Sequence, residues 1–114
     1  YGKVRDYAAS DQEVTRRAGF ALLATLAVGD NRASDDDFRA FLPLIERGAE
    51  DSRVRIGKAV NWALGQIGKR SRGRYPDALA LARRVAAKAG AAARRIGRDA
   101  VRELTLERII ARIK

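Results

Sequence analysis

Trp62 is the only tryptophan in this chain of 114 residues, and it stands among cations. At about 100° per residue it shares a helix face with Arg55, Lys58, Gln66 and Lys69. An indole set between ammonium and guanidinium groups can stack on a base or pack on a sugar while the cations take phosphate. The plain alternative is a ring half buried against a neighbouring helix. Arg17 poses a similar choice. It projects from an almost wholly apolar stretch beside Ala21 and Ala24, so its guanidinium needs a carboxylate or a water-filled groove. Arg94, Arg95, Arg98 and Arg102 lie on one side of a segment whose other side carries Ala93, Ile96 and Ala100, and Lys69-Arg-Ser-Arg-Gly-Arg74 forms a basic turn. Arg17, Arg55, Lys58, Trp62, Lys69, Arg70, Arg94, Arg95 and Arg98 are therefore the candidates for holding a nucleic-acid backbone, the arginines through forked bonds to phosphate.

Other chemistry is excluded by composition. The chain has no Cys and no His, so it contains no Cys/His zinc site, thiol nucleophile, Ser-His-Asp triad or imidazole acid-base group. The consecutive Asp35, Asp36 and Asp37 point in different directions on a helix and suit its positive N-terminal end better than a metal. No metal or cofactor is expected. The formal net charge of +10 is uneven: residues 1–50 carry 7 Lys/Arg and 9 Asp/Glu, residues 51–114 carry 17 and 5. A polyanionic partner for the second half follows, nucleic acid before anionic membrane, with a solvated basic surface as the bland reading. No apolar run approaches the ~20 residues that a bilayer requires, and no secretory signal is evident. The lack of Cys fits a reducing compartment.

The elements that carry these residues read as helices throughout. Ile56, Ala59, Val60, Ala63, Leu64 and Ile67 recur at helical spacing within 55–70 and form one apolar stripe, with Trp62 well off it. Residues 2–9 read as the tail of a helix, and Ser10 or Asp11 caps the next, over 11–28. That helix is apolar almost all round, the pattern of a buried element. A turn at 29–33 leads to a helix capped by Ser34 and bent or limited by Pro43, which 48–52 closes. Further helices are expected from Tyr75-Pro76 to about 89, over 91–104, and from Thr105 to Ile113.

Arg17-Ala-Gly19, Arg55-Ile-Gly57 and Arg95-Ile-Gly97 open apolar helical runs 38 and 40 residues apart. Two helices per period of this length mark a helix-pair solenoid of the HEAT or armadillo kind, whose stacked repeats make one core. The expected fold is thus all-α: a HEAT-like helical repeat solenoid of antiparallel pairs stacked into a right-handed superhelix, with repeats near 11–48, 52–89 and 91–113. One groove across several repeats would hold Arg17, Arg55, Trp62 and the 94/95/98 cluster.

Four segments carry a family resemblance: Thr15-Arg-Arg-Ala-Gly-Phe-Ala-Leu-Leu23, Phe41-Leu-Pro-Leu-Ile-Glu46, Lys58-Ala-Val-Asn-Trp-Ala-Leu64 with Gln66-Ile-Gly-Lys-Arg70, and Gly97-Arg-Asp-Ala-Val-Arg-Glu-Leu104. They resemble the C-terminal half of the AlkD-like DNA alkylation repair proteins, most specifically in the Lys58–Leu64 block. The resemblance implies a HEAT-like solenoid whose concave face holds duplex DNA in the bacterial cytoplasm, at the nucleoid. It also implies a glycosylase that excises cationic N3- or N7-alkylated purines. Arg17 would match the family arginine at the lesion, and Trp62 the tryptophan packed on the DNA backbone. The family's Trp-x-x-x-Asp element, whose carboxylate stabilises the positive sugar and positions water, is absent here, and its expected place falls upstream of Tyr1. Gly65 stands where many relatives carry arginine, and Arg95 where several carry an aromatic residue.

A cationic purine leaves as a neutral base, so the leaving group needs no proton and the main demand is electrostatic. That chemistry suits a chain without histidine. The rival expectation is a non-catalytic HEAT-like module that binds nucleic acid or protein. The chain begins at Tyr1 rather than Met, and if repeats precede it, the apolar side of helix 11–28 is open to self-association.

Overall fold

The computed structural model describes residues 2–29, 35–70, 74–111 and 113, and among these every regular element is an α-helix. α1 spans Gly2–Ala8 and α2 Glu13–Gly29, with the Ser10 hydroxyl accepting the Gln12 amide just ahead of α2. α3 (Asp35–Arg39) and α4 (Leu42–Gly48) are separated at Phe41. Pro43 lies in the first turn of α4, where a missing N–H breaks no helical bond. This proline starts a helix and does not bend one. α5 covers Val54–Arg70, α6 Tyr75–Ala86, α7 Ala91–Leu104 and α8 Glu107–Ile110. Residues 30–33 of the expected turn, Ser34 as a cap, the side chains of Asp35 and Asp36, and residues 71–73 of the basic turn lie outside the described residues.

The helices stack in two layers. α2, α5 and α7 lie side by side in one, and α1, α4 and α6 form the other. The pairs α1/α2, α4/α5 and α6/α7 join the layers, which gives an all-α helical repeat fold. The principal extents are 36 × 31 × 18 Å, and the shortest is about two helix diameters. The three Arg-x-Gly echoes fall on α2, α5 and α7, one in each pair.

Those echoes have a partial physical basis. A Cβ on Gly19 would run into the Ala8 backbone, and one on Gly97 into the Ala86 backbone. In the first and third pairs, then, glycine lets two helices cross backbone against backbone. Gly57 differs, because a Cβ there would meet the Ile96 side chain of α7, 3.1 Å away.

Between the layers runs one continuous core. The α5 stripe of Ile56, Ala59, Val60, Ala63, Leu64 and Ile67 is buried against Phe20, Leu23, Ile45, Leu81 and Leu104. The Tyr75 hydroxyl donates to the Leu104 carbonyl at 2.6 Å, tying the start of α6 to the end of α7.

Three expectations need correction. α2 is not buried all round: Val14 is 77% and Val28 63% exposed, because this face has no neighbour among the described residues. α6 ends at Ala86, with the Ala87 and Lys88 amides bonded in a turn to Arg84 and Val85. Thr105 closes α7 and does not open a helix, since its hydroxyl donates to the Val101 carbonyl at 2.7 Å. The short α8 leaves Ile110 exposed while Ile113 is buried.

Candidate nucleic-acid interface

The exposed side of the α2–α5–α7 layer carries the groove. Arg17 on α2 and Arg55, Lys58 and Trp62 on α5 line a recess of about 350 Å³, with Ala21 and Ala59 completing its wall. The small side chains have a plain role: α2 and α5 pack closely there, and methyl groups leave depth between the longer cations. Arg17 is exposed, so the groove, not a buried ion pair, is where its charge resides. Trp62 is 47% exposed, its ring anchored on a helix whose opposite face is core. Among the described residues no carboxylate lines this recess. Three cations beside a half-open indole form a receptor for an anionic group attached to a flat or apolar one.

What holds α2 and α5 in register lies next to Arg17 and Arg55 in sequence. Asp51, just ahead of α5, accepts the Arg53 amide at 2.9 Å and the Arg53 guanidinium at 2.7 Å. The oxygen that takes the 2.7 Å bond also accepts from Arg16 of α2, at 3.2 Å. Arg53 also donates to the Asp11 carbonyl at 3.0 Å, so the network reaches both sides of the α2 start. The hydrogen bonds from Arg53 hold the Asp51 carboxyl well below its ordinary 3.8, at about 2, against the opposing effect of burial.

Beyond Trp62, toward α7, the groove changes character. A second recess of about 320 Å³ is lined by Lys58, Asn61, Trp62, Gln66, Lys69 and Glu103. Lys69 Nζ pairs with Glu103 Oε2 at 2.9 Å. A third, toward the start of α5, brings Arg95 beside Lys58, Asn61 and Asp99. Lys58 lines all three recesses, so they form one groove across three helices. Arg94 and Arg98 are exposed on α7 and line none of the three.

Arg70 is engaged elsewhere. Its guanidinium donates to the Ala27 carbonyl at 2.9 Å and sits 4.3 Å from the centroid of Phe38, which clamps the end of α5 to α2 and α3. Arg74 at the far side of the basic turn is buried and paired with Asp77 at 2.8 Å. Arg70 and Arg74 therefore serve the fold. Sequence reasoning missed Asp51 and Glu103 as contributors. Glu103 stands 34 residues from its lysine partner, and no local pattern reports such a pair.

Among the described residues no helix is long and apolar enough to cross a membrane, and no cluster of acidic side chains could hold a metal ion. The family model for DNA alkylation repair enzyme matches residues 2–104, which takes in α1 through α7. No curated protein and no solved structure gives a significant match.

Proposed function

The chain belongs to the DNA alkylation repair enzyme family, and we propose that it grips alkylated duplex DNA across the α2–α5–α7 groove. In this reading the stacked pairs are HEAT-like repeats of a right-handed superhelix, in a glycosylase of the bacterial cytoplasm that excises cationic N3- or N7-alkylated purines. The observation that supports it most is the recess of Arg17, Arg55, Lys58 and Trp62, where three cations surround an exposed indole. Arg17 and Arg55 would take phosphate oxygens through their forks, and Lys58 would act as a point charge between the recesses. Trp62 would pack on the sugar of the strand so held. Arg94, Arg95 and Arg98 would extend the positive surface along α7 toward neighbouring phosphates.

Departure of a cationic purine transfers positive charge to the sugar, so catalysis requires an anion near that sugar. Among the described residues no acidic side chain lines the recess of Arg17 and Trp62. That observation favours a second reading, a DNA-binding module that does not cleave. Base release from duplex DNA containing N7-methylguanine, measured beside binding at several salt concentrations, separates the two. Release supports the glycosylase. Binding that weakens steeply with salt but yields no free base supports the module. Affinity that is flat with salt would refute both, since neither survives without phosphate contacts.

A further inference from the structure

The two recesses beside Trp62 differ in charge, three cations on one side and two cations with a carboxylate on the other. The one toward α2 has three cations and no carboxylate among its lining residues. The one toward α7 is lined by Lys58, by Lys69 paired with Glu103, and by the neutral amides of Asn61 and Gln66. Glu103 reaches this place because α5 has no side chain opposite it: a Cβ on Gly65 would lie 2.5 Å from Glu103 Oε1. The carboxylate fills the room that glycine leaves and remains 39% exposed toward the groove.

We infer that Glu103 is a specificity-determining residue of this groove, acting in two ways. It holds Lys69 away from backbone phosphate, and it offers the positive charge of an alkylated purine a carboxylate next to the Trp62 ring. Trp62 lines both recesses, so a nucleotide packed on its ring meets unopposed cations on one side and the Glu103 carboxylate on the other. Phosphate is drawn to the α2 side. On the α7 side Glu103 lowers the positive potential, which favours a cationic base over an uncharged purine. This inference rests on the DNA-binding reading above. An ion pair that merely joins α5 to α7 would have no such consequence.

The test compares Glu103→Gln with the wild-type chain by fluorescence anisotropy, using one labelled duplex without a lesion and one with a single N7-methylguanine. Freeing Lys69 adds one phosphate contact, so the log–log salt slope on the unmodified duplex should steepen by about 0.9. That amounts to an extra loss of about 3.5-fold in affinity between 50 and 200 mM salt. The preference for the methylated duplex should fall about two- to fivefold, the range for a partly exposed charge pair. Adding Lys69→Met to the Glu103→Gln chain should restore the original slope. An unchanged slope, or an unchanged preference, in a Glu103→Gln chain that folds and binds would overturn the inference and leave the DNA-binding reading standing. Salt-insensitive binding, or none, by the wild-type chain would overturn the DNA-binding reading and this inference with it.

Discussion

Replacing Asp51 by Asn removes the charge that fastens α2 to α5 while keeping the side chain's shape. Its carboxyl is held at about 2 in place of 3.8 because Arg53 donates to it from two guanidinium nitrogens and its amide, and Arg16 from one nitrogen. The side chain is only 8% exposed, so solvent does little to screen these bonds. At 1.36 kcal/mol per unit, a shift from 3.8 to about 2 is worth about 2 kcal/mol. The folded-state value is the lower one, so this stability is fully present well above pH 3.8 and is lost as pH falls toward 2. Urea unfolding at pH 7 should therefore find Asp51→Asn less stable by about 2 kcal/mol. At pH 3 the difference should shrink to roughly half that, because the wild-type carboxyl is then partly protonated in the unfolded chain. A variant within 0.5 kcal/mol of wild type at pH 7, on the order of an ordinary surface change, would show that the network is decorative. A difference that stays constant from pH 7 to pH 3 would show that charge is not what Asp51 supplies.

Trp62→Ala should leave stability within about 1 kcal/mol, since the ring is half exposed, and weaken DNA binding by about 1–3 kcal/mol in a titration against labelled duplex. Arg17→Gln and Arg55→Gln should each flatten the salt slope of binding by about 0.9, with little sequence dependence, whereas a fold-directed role would appear in urea melts. Gly97→Ala should destabilise by about 2 kcal/mol despite alanine's better helix propensity, because its methyl group meets the Ala86 backbone; Gly29→Ala, where nothing lies within 4 Å, is the control that should be neutral or better. Tyr75→Phe should cost about 1 kcal/mol in chemical unfolding through loss of the bond to the Leu104 carbonyl.

The parts of the fold that were legible are those determined locally. The α5 stripe specifies its own buried face, Gly90 precedes α7, and Pro76 marks the start of α6. In the same way Arg17, Arg55, Lys58 and Trp62, grouped by helical spacing and repeat frame, share one recess. What escaped the sequence depends on distant partners. Arg70 reads as another surface cation, yet a carbonyl 43 residues earlier and the Phe38 ring hold it against the fold. Lys69 looks equally available until α7 brings Glu103 beside it. The open face of α2 was misread for a related reason: apolar periodicity shows what a helix can bury, while only packing shows which faces acquire a neighbour.

The two-layer slab also has a consequence for how the molecule comes apart. α5 touches α2, α4, α6 and α7, whereas α8 packs chiefly on α7 and α1 on α2 and α4. In such a quasi-linear stack, opening begins at the ends and spreads inward one neighbour at a time. Amide exchange should therefore be fastest in α1 and α8 and approach the global limit in α5. The helix bearing Arg55, Lys58 and Trp62 would be the last to lose its shape, and the grip of the groove would outlast the order of its margins.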